Sequence, residues 1–247
     1  AETGWGRAGE SWRTIEEVAR LGGPSWFRLG DFDLALHLTR THLLQQGQKL
    51  TAVTRHLCDQ LGVEASVLPM SDQPAPTLLS TDEGVLAFQK WFVARRWQPA
   101  VREVLLPEDA RAPGAVIAAL EQADLVVLAP SNPFVSLDPI LNVYPIRAMI
   151  TDLPEAVVAV SPIVGGAALK GPAAKMMREK GLPVSAQGIL DYYEDLIDIF
   201  VYDHQDEGQV TAPEHTLLST GTIMHDRAAR TRLACEILAF TQELAEA

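Results

Sequence analysis

Cysteine is scarce in this sequence, and the scarcity excludes whole classes of protein. Cys58 and Cys235 stand far apart and no C-x-x-C pair occurs, so neither a disulfide framework nor a cysteine-ligated zinc site is available. A reducing compartment fits that usage, and we expect a cytoplasmic protein. No apolar run approaches the roughly 18 residues of a membrane-spanning helix, and no signal-peptide pattern follows Ala1. Positive charge is in deficit as well: 20 Lys and Arg face 32 Asp and Glu, a formal net charge of −12. That balance argues against a nucleic-acid surface, which needs a basic face. It leaves room for an anionic small molecule, because local cations and helix N-termini override the net field. The histidines show no H-E-x-x-H spacing, and Ser131 lies in Ala-Pro-Ser-Asn-Pro rather than in the G-x-S-x-G elbow of a serine hydrolase.

What is present is an ordinary globular composition, 47% hydrophobic and 21% charged over 247 residues, enough for a full core in one domain or two small ones. The chain is organised around Leu125-Val-Val-Leu-Ala-Pro-Ser-Asn-Pro133. Four apolar residues that stop at a rigid polar break read as a strand buried on both faces. In a parallel α/β sheet, the loop leaving the carboxyl end of such a strand is where ligands bind. Val157–Ser161 repeats the pattern, with Gly165-Gly166 and Lys170-Gly171-Pro172 after it. Around these strands the spacing predicts helices over 11–21, 34–46 (with Asp33 as N-cap), 51–61, 113–122, 172–180, 185–196 and 226–244, and strands at 200–202 and 216–218. Between 64 and 106 the pattern changes. Short strands at 67–68, 77–81 and 85–93, the last two joined through Asp82-Glu-Gly84, predict an antiparallel insertion or lid. No internal repeat or linker divides the chain.

Three clusters carry chemistry. Gly165-Gly166 with Lys170-Gly171-Pro172 is the best phosphate candidate, since glycines let backbone approach a ligand and the N–H groups of a helix start favour an anion; a plain strand-to-helix loop is the alternative. Ser131-Asn132, fixed between two prolines, offers a hydroxyl and an amide to a sugar, base or phosphate, or else forms an Asx-type turn. Asp31 and Asp33 precede a helix on which His37 and Arg40, three apart, share a face. The four suit a divalent cation or a substrate hydroxyl; capping and turn formation is the competing use of the two acids. His42, His56, His204, His215 and His225 are read as surface or core residues.

These segments together resemble the 2-phospho-L-lactate transferase family of coenzyme F-420 biosynthesis. The likeness rests on Gly30-Asp-Phe-Asp-Leu-Ala-Leu-His-Leu-Thr-Arg40, Leu68-Pro-Met-Ser-Asp72, Asp82-Glu-Gly with Phe88-Gln89, Ala129-Pro-Ser-Asn-Pro133 with Pro139-Ile-Leu141, and Ser161-Pro-Ile-Val-Gly-Gly166 with Lys170-Gly-Pro-Ala173. It runs in order from Gly4-Trp-Gly6 to the last helix. The resemblance implies a Rossmann-like, doubly wound, mainly parallel α/β domain over 1–247 with the 64–106 insertion, and commonly a homodimer. It implies transfer of a phospholactyl or phosphoenolpyruvyl group from a guanosine-diphosphate-activated donor to the ribityl hydroxyl of the deazaflavin Fo, with release of GMP and with Mg²⁺ as the metal. The roles it assigns are catalytic for Asp31, Asp33 and His37, and substrate-binding for Arg40, Asp72, Ser131 and Asn132. Ser161, Gly165, Gly166, Lys170 and Gly171 are assigned to the phosphates and nucleotide.

The sequence departs from the family pattern in three ways. Family members open with a strand, a glycine-rich phosphate loop and metal-holding acids, and this sequence starts downstream of them, by roughly eighty residues on typical domain sizes. No metal ligand is therefore expected within the chain. Phe32 stands where the family has Arg between the two aspartates, and Gln73 follows Asp72 where a second aspartate is usual. An alternative function keeps the fold without the chemistry: a non-catalytic regulatory protein that binds a nucleotide or nucleotide sugar.

Overall fold

A computed structural model describes residues 8–246; Gly4-Trp-Gly6 lies outside the described residues. The chain opens with three helices, α1 (Arg13–Arg20), α2 (Asp31–Gln45) and α3 (Leu50–Gln60). A three-stranded antiparallel sheet follows, β1 (Leu78–Thr81), β2 (Gly84–Ala87) and β3 (Val101–Leu105), in the order β2-β1-β3. The α/β body comes next: α4 (Gly114–Glu121), β4 (Val126–Leu128), α5 (Asp138–Leu141), α6 (Ile146–Thr151) and β5 (Val157–Val160). A hairpin, β6 (Ile163–Val164) and β7 (Ala167–Ala168), leads to α7 (Ala173–Glu179) and α8 (Ala186–Tyr193). β8 (Ile199–Asp203), β9 (Thr216–Thr220) and α9 (Arg227–Ala245) complete it.

The main sheet is parallel throughout, in the order β4-β5-β8-β9. Every residue of β5 and β8 is buried, as parallel strands covered on both faces require. Alternation along the strand sorts the side chains. Val157, Ala159, Phe200 and Tyr202 join the large core that includes Phe134, Leu141, Met176 and Ile189. Val158, Val160, Ile199 and Val201 point the other way, to Leu233 and Ile237 of α9. Helices therefore cover both faces, which is the α/β class expected. Among the described residues no helix is long and apolar enough to cross a membrane.

Four local expectations are corrected. β4 is not buried on both faces: it pairs only with β5 among the described strands, and Val127 is 44% exposed. A continuous apolar run gives burial but not position in the sheet. Val67-Leu68 is irregular, with Leu68 in an apolar groove beside Val116, Val126 and Val127. The strand expected over 85–93 ends at Ala87, and Lys90–Ala94 winds into a wide helical turn. Phe88, Trp91 and Phe92 have helical spacing, and burying them on one side outweighs strand propensity. Finally α2 begins at Asp31 with Gly30 as its N-cap, so Asp33 lies inside the first turn. A Cβ at Gly30 would lie 2.0 Å from the Glu10 side chain, which would have to move to admit it.

Trp91 ties the small sheet together. Its ring is fully buried, and its indole N–H donates to the Pro99 carbonyl at 2.9 Å. Lys175 and Glu179 of α7 reach the same region, donating to the Pro99 carbonyl (3.0 Å) and accepting from the Val101 N–H (3.1 Å). Trp91→Ala is expected to lower the unfolding free energy by about 3–5 kcal/mol, measured by urea denaturation. A loss below about 1 kcal/mol would remove Trp91 from the core.

Candidate functional site

A cleft of about 750 Å³ opens at the carboxyl ends of the parallel strands. Three loops of that sheet edge supply it: Pro130–Asn132 after β4, Ser161-Pro162 after β5, and Thr222–His225 after β9. Leu169–Ala173, leaving the β6–β7 hairpin, forms one further wall, and Phe88, Phe92 and Arg230 close it. The Phe88 and Phe92 rings stack at 5.4 Å with 13° between planes. This is where a parallel α/β sheet offers a crevice.

The lining contains Lys170, His225 and Arg230, and no Asp or Glu. In a chain of net charge −12, such a cleft runs against the global field and favours an anion. The polar groups beside the cations are rigidly set. Asn132 caps the following turn through its side-chain oxygen, which accepts the Phe134 N–H at 3.0 Å, so the Asx-type reading and cleft exposure both hold. Ser161 is buried: its Oγ accepts from the Ile163 N–H (3.1 Å) and donates to the Ile163 carbonyl (2.9 Å). Behind the β4 loop, burial raises the Asp138 carboxyl above its ordinary range, although the Tyr192 hydroxyl donates to it at 2.6 Å.

Of the residues expected from sequence, the cleft brings together Ser131, Asn132, Ser161, Lys170 and Gly171. Gly165 and Gly166 do not line it. They form the tight turn of the β6–β7 hairpin, both with positive φ (57° and 73°), the geometry for which a two-residue hairpin turn selects glycine. The Gly165 N–H is already taken, donating to both carboxylate oxygens of Asp206 at 3.1 Å. Asp31, Asp33, His37, Arg40 and Asp72 are also absent from the lining. Asp31 accepts from the Ser11 hydroxyl and, at 3.0 Å, from the Thr14 N–H, joining the starts of α1 and α2. His37 Nδ1 accepts from Arg40 at 2.8 Å on the shared face that their spacing predicts. Asp72 accepts from the Thr51 N–H (2.7 Å) and hydroxyl (2.8 Å) at the start of α3.

His225 and Arg230 were missed because neither lies in a motif. The available signal was topological, since the loop after β9 opens on the same sheet edge as the other two. The cleft offers no carboxylate, and no group of three or more His, Cys, Asp or Glu side chains is arranged for a metal ion among the described residues. These residues do not fit a Mg²⁺ site.

Fold and cleft define an α/β protein with a cation-bearing cleft at the carboxyl edge of a parallel sheet. Comparison with known proteins narrows this. Residues 11–241 match the family model described as 2-phospho-L-lactate transferase CofD, and the chain belongs to that family of transferases. It is 36% identical over 212 residues to the 2-phospho-L-lactate transferase of Methanosarcina mazei, covering 85% of this chain and 69% of that protein. It is also 37% identical over 257 residues to the phosphoenolpyruvate transferase of Kitasatospora aureofaciens, covering 98% and 79%. In fold it is similar to a crystal structure of a Bacillus halodurans protein, with a TM-score of 0.60 at 15% identity over 81% of this chain and 70% of that one. A second structure, of a UPF0052 family member from Bacillus halodurans, gives 0.55 at the same identity over 80% and 69%.

The Asp31 contacts carry a pH dependence. The Ser11 hydroxyl, then the Thr14 N–H, hold its carboxyl below the ordinary 3.8. A depressed carboxyl stabilises the fold above its unfolded value, and the contribution disappears as pH falls through the folded value. Asp31→Asn is therefore expected to lower the thermal midpoint at pH 7, with the gap to wild type closing below pH 3.8. A gap of equal size at both ends of a pH series of melting curves would contradict this.

Proposed function

We propose that this protein transfers a phospholactyl or phosphoenolpyruvyl group from a guanosine-diphosphate-activated donor to the ribityl hydroxyl of Fo, releasing GMP in coenzyme F-420 biosynthesis. The observation that carries the reading is the acid-free cleft with Lys170, His225 and Arg230 in its wall. The hydroxyl oxygen attacks the phosphorus bearing the three-carbon group. A new P–O bond forms, the bridging P–O bond breaks, and GMP leaves with the bridging oxygen while the hydroxyl gives up its proton. Negative charge grows on the phosphoryl and bridging oxygens, where fixed cations stabilise the transition state.

Lys170 and Arg230 face those oxygens, while the Ser131 hydroxyl and the Gly171 backbone hold the donor. Ser161 lines the cleft beside them, the Gly165-Gly166 turn supports the Lys170 wall, and Asn132 fixes the β4 loop. Mg²⁺ belongs to the reaction by family resemblance, and the described cleft residues supply no carboxylate for it. Asp31, Asp33, His37, Arg40 and Asp72 are assigned to the acceptor side, with Asp33 as the base for the hydroxyl proton and His37 beside it. They do not line the cleft, so this part requires α2 to approach the acceptor. A homodimer is part of the same reading. Two relatives named for different three-carbon groups, one for 2-phospho-L-lactate and one for phosphoenolpyruvate, stand at similar identity, which leaves both donors in the proposal.

A second reading, a non-catalytic nucleotide binder, is favoured by the lack of a metal cluster among the described residues. Thermal shifts separate the two, since stabilisation by GDP with Fo supports the transferase and stabilisation by a UDP-sugar supports the binder. Incubation with Fo, the activated donor and Mg²⁺ is expected to release GMP, followed by chromatography. Lys170→Ala and Arg230→Ala are each expected to reduce kcat/KM by about 10- to 100-fold, the loss of one charge-assisted hydrogen bond. Fo binding with no GMP release would overturn the reading.

A further inference from the structure

Two carboxylates buried at the carboxyl end of β8 have no part in that chemistry. Asp203 is 1% exposed and Asp206 is 3% exposed, and neither lines the cleft. Buried carboxylates are retained where they are hydrogen-bonded, and here most of the donors come from backbone. Asp203 Oδ2 accepts from the Thr222 N–H (2.8 Å) and hydroxyl (3.2 Å), and Oδ1 accepts from the Gln205 N–H (3.1 Å). Asp206 accepts the Gly165 N–H on both oxygens. Burial would raise the Asp203 carboxyl, but the Thr222 and Gln205 donors outweigh it and hold the group below the ordinary range, so it stays charged.

The positions of the partners give these bonds a consequence. Thr222 heads the segment that carries His225 and then Arg230 to the cleft. Gly165 turns the hairpin whose exit carries Lys170 and Gly171 to the same cleft. The two acids belong to one short piece of chain, since Asp203 caps a 3-10 turn, His204–Asp206, closed by the Glu207 N–H to the His204 carbonyl at 3.2 Å. Asp203 and Asp206 thus stand three residues apart, at the head and the end of one turn. One rigid turn on a fully buried strand therefore holds both cationic walls.

We propose that Asp203 and Asp206 are positioning residues, which set the separation of the Lys170 wall from the His225–Arg230 wall to fit the diphosphate of the donor. The proposal rests on the transferase reading for its substrate. It predicts a failure of binding rather than of chemistry. Asp203→Ala and Asp206→Ala are each expected to raise KM for the donor by about tenfold, the scale of one buried charged hydrogen bond, with kcat within about threefold. Asp206→Asn is expected to recover most of the loss, because an amide oxygen still accepts the single Gly165 N–H. Asp203→Asn is not, because both Asp203 oxygens accept N–H groups and an amide nitrogen would meet a donor.

The measurement pairs steady-state kinetics with calorimetric titration of GDP, and circular dichroism with thermal melting monitors folding. A lower melting temperature with KM and GDP affinity within about twofold of wild type would reduce both acids to structural staples and overturn the proposal. The same holds if Asp203→Asn recovers as fully as Asp206→Asn. If the wild type binds GDP but releases no GMP, the transferase reading fails alone, and GDP affinities across the variants still decide the positioning claim. If it binds no GDP, both fall.

Discussion

Burial of β5 and β8 on both faces is the constraint from which the rest follows. A strand with no exposed face presents nothing to water except its ends. Val157–Val160 and Ile199–Asp203 are such strands, so polar chemistry is displaced to the loops that leave them. The carboxyl edge collects Ser131-Asn132, Ser161 and Thr222–His225 within one cleft. At the amino edge, Asp198 is occupied in the same sheet: its carboxylate accepts the Val157 N–H at 2.8 Å, and its own N–H donates to the Val157 carbonyl at 2.9 Å.

Charge follows the same separation. The chain carries twelve more acids than cations, yet among the described residues no acid lines the cleft. Several acids are instead held as acceptors of backbone N–H groups: Asp31 for Thr14, Asp72 for Thr51, Asp203 for Thr222, Asp206 for Gly165 and Asp226 for Ala229. Each of these bonds organises a turn or helix start while keeping a carboxylate away from the ligand. Lys170 and Arg230 stand in the cleft wall, where a fixed cation counts for more than on an open surface.

Much of this was legible in the sequence where local pattern and tertiary role coincide. β5 read as a buried strand because all four of its residues are apolar, 200–202 read as a strand, and Lys170-Gly171 lies in the cleft wall. Legibility failed where one local signal serves two outcomes. Gly165-Gly166 makes a hairpin turn as readily as a phosphate loop. Val126–Leu128 has the same composition at an edge as at a centre. Phe88-Gln-Lys-Trp-Phe92 sits between strand and helix propensity, and the fully buried Trp91 decided it. Arg230 lay beyond local reading altogether, because only the return of β9 to the sheet brings it to the cleft.

The acidic turn of α2 separates by the same logic. Asp31 and Asp33 are two residues apart, but their surroundings differ. Asp31 is tied to Ser11 and Thr14, and a carboxylate holding donors whose bonds it would have to break is a poor base. The carboxylate of Asp33, half-buried one turn from His37, has no hydrogen-bond or ion-pair partner among the described residues. His37 has Nδ1 occupied by Arg40, which leaves Nε2 as its exchangeable position. Of the two aspartates, Asp33 is therefore the one whose carboxylate can act on a substrate without first undoing the junction between α1 and α2.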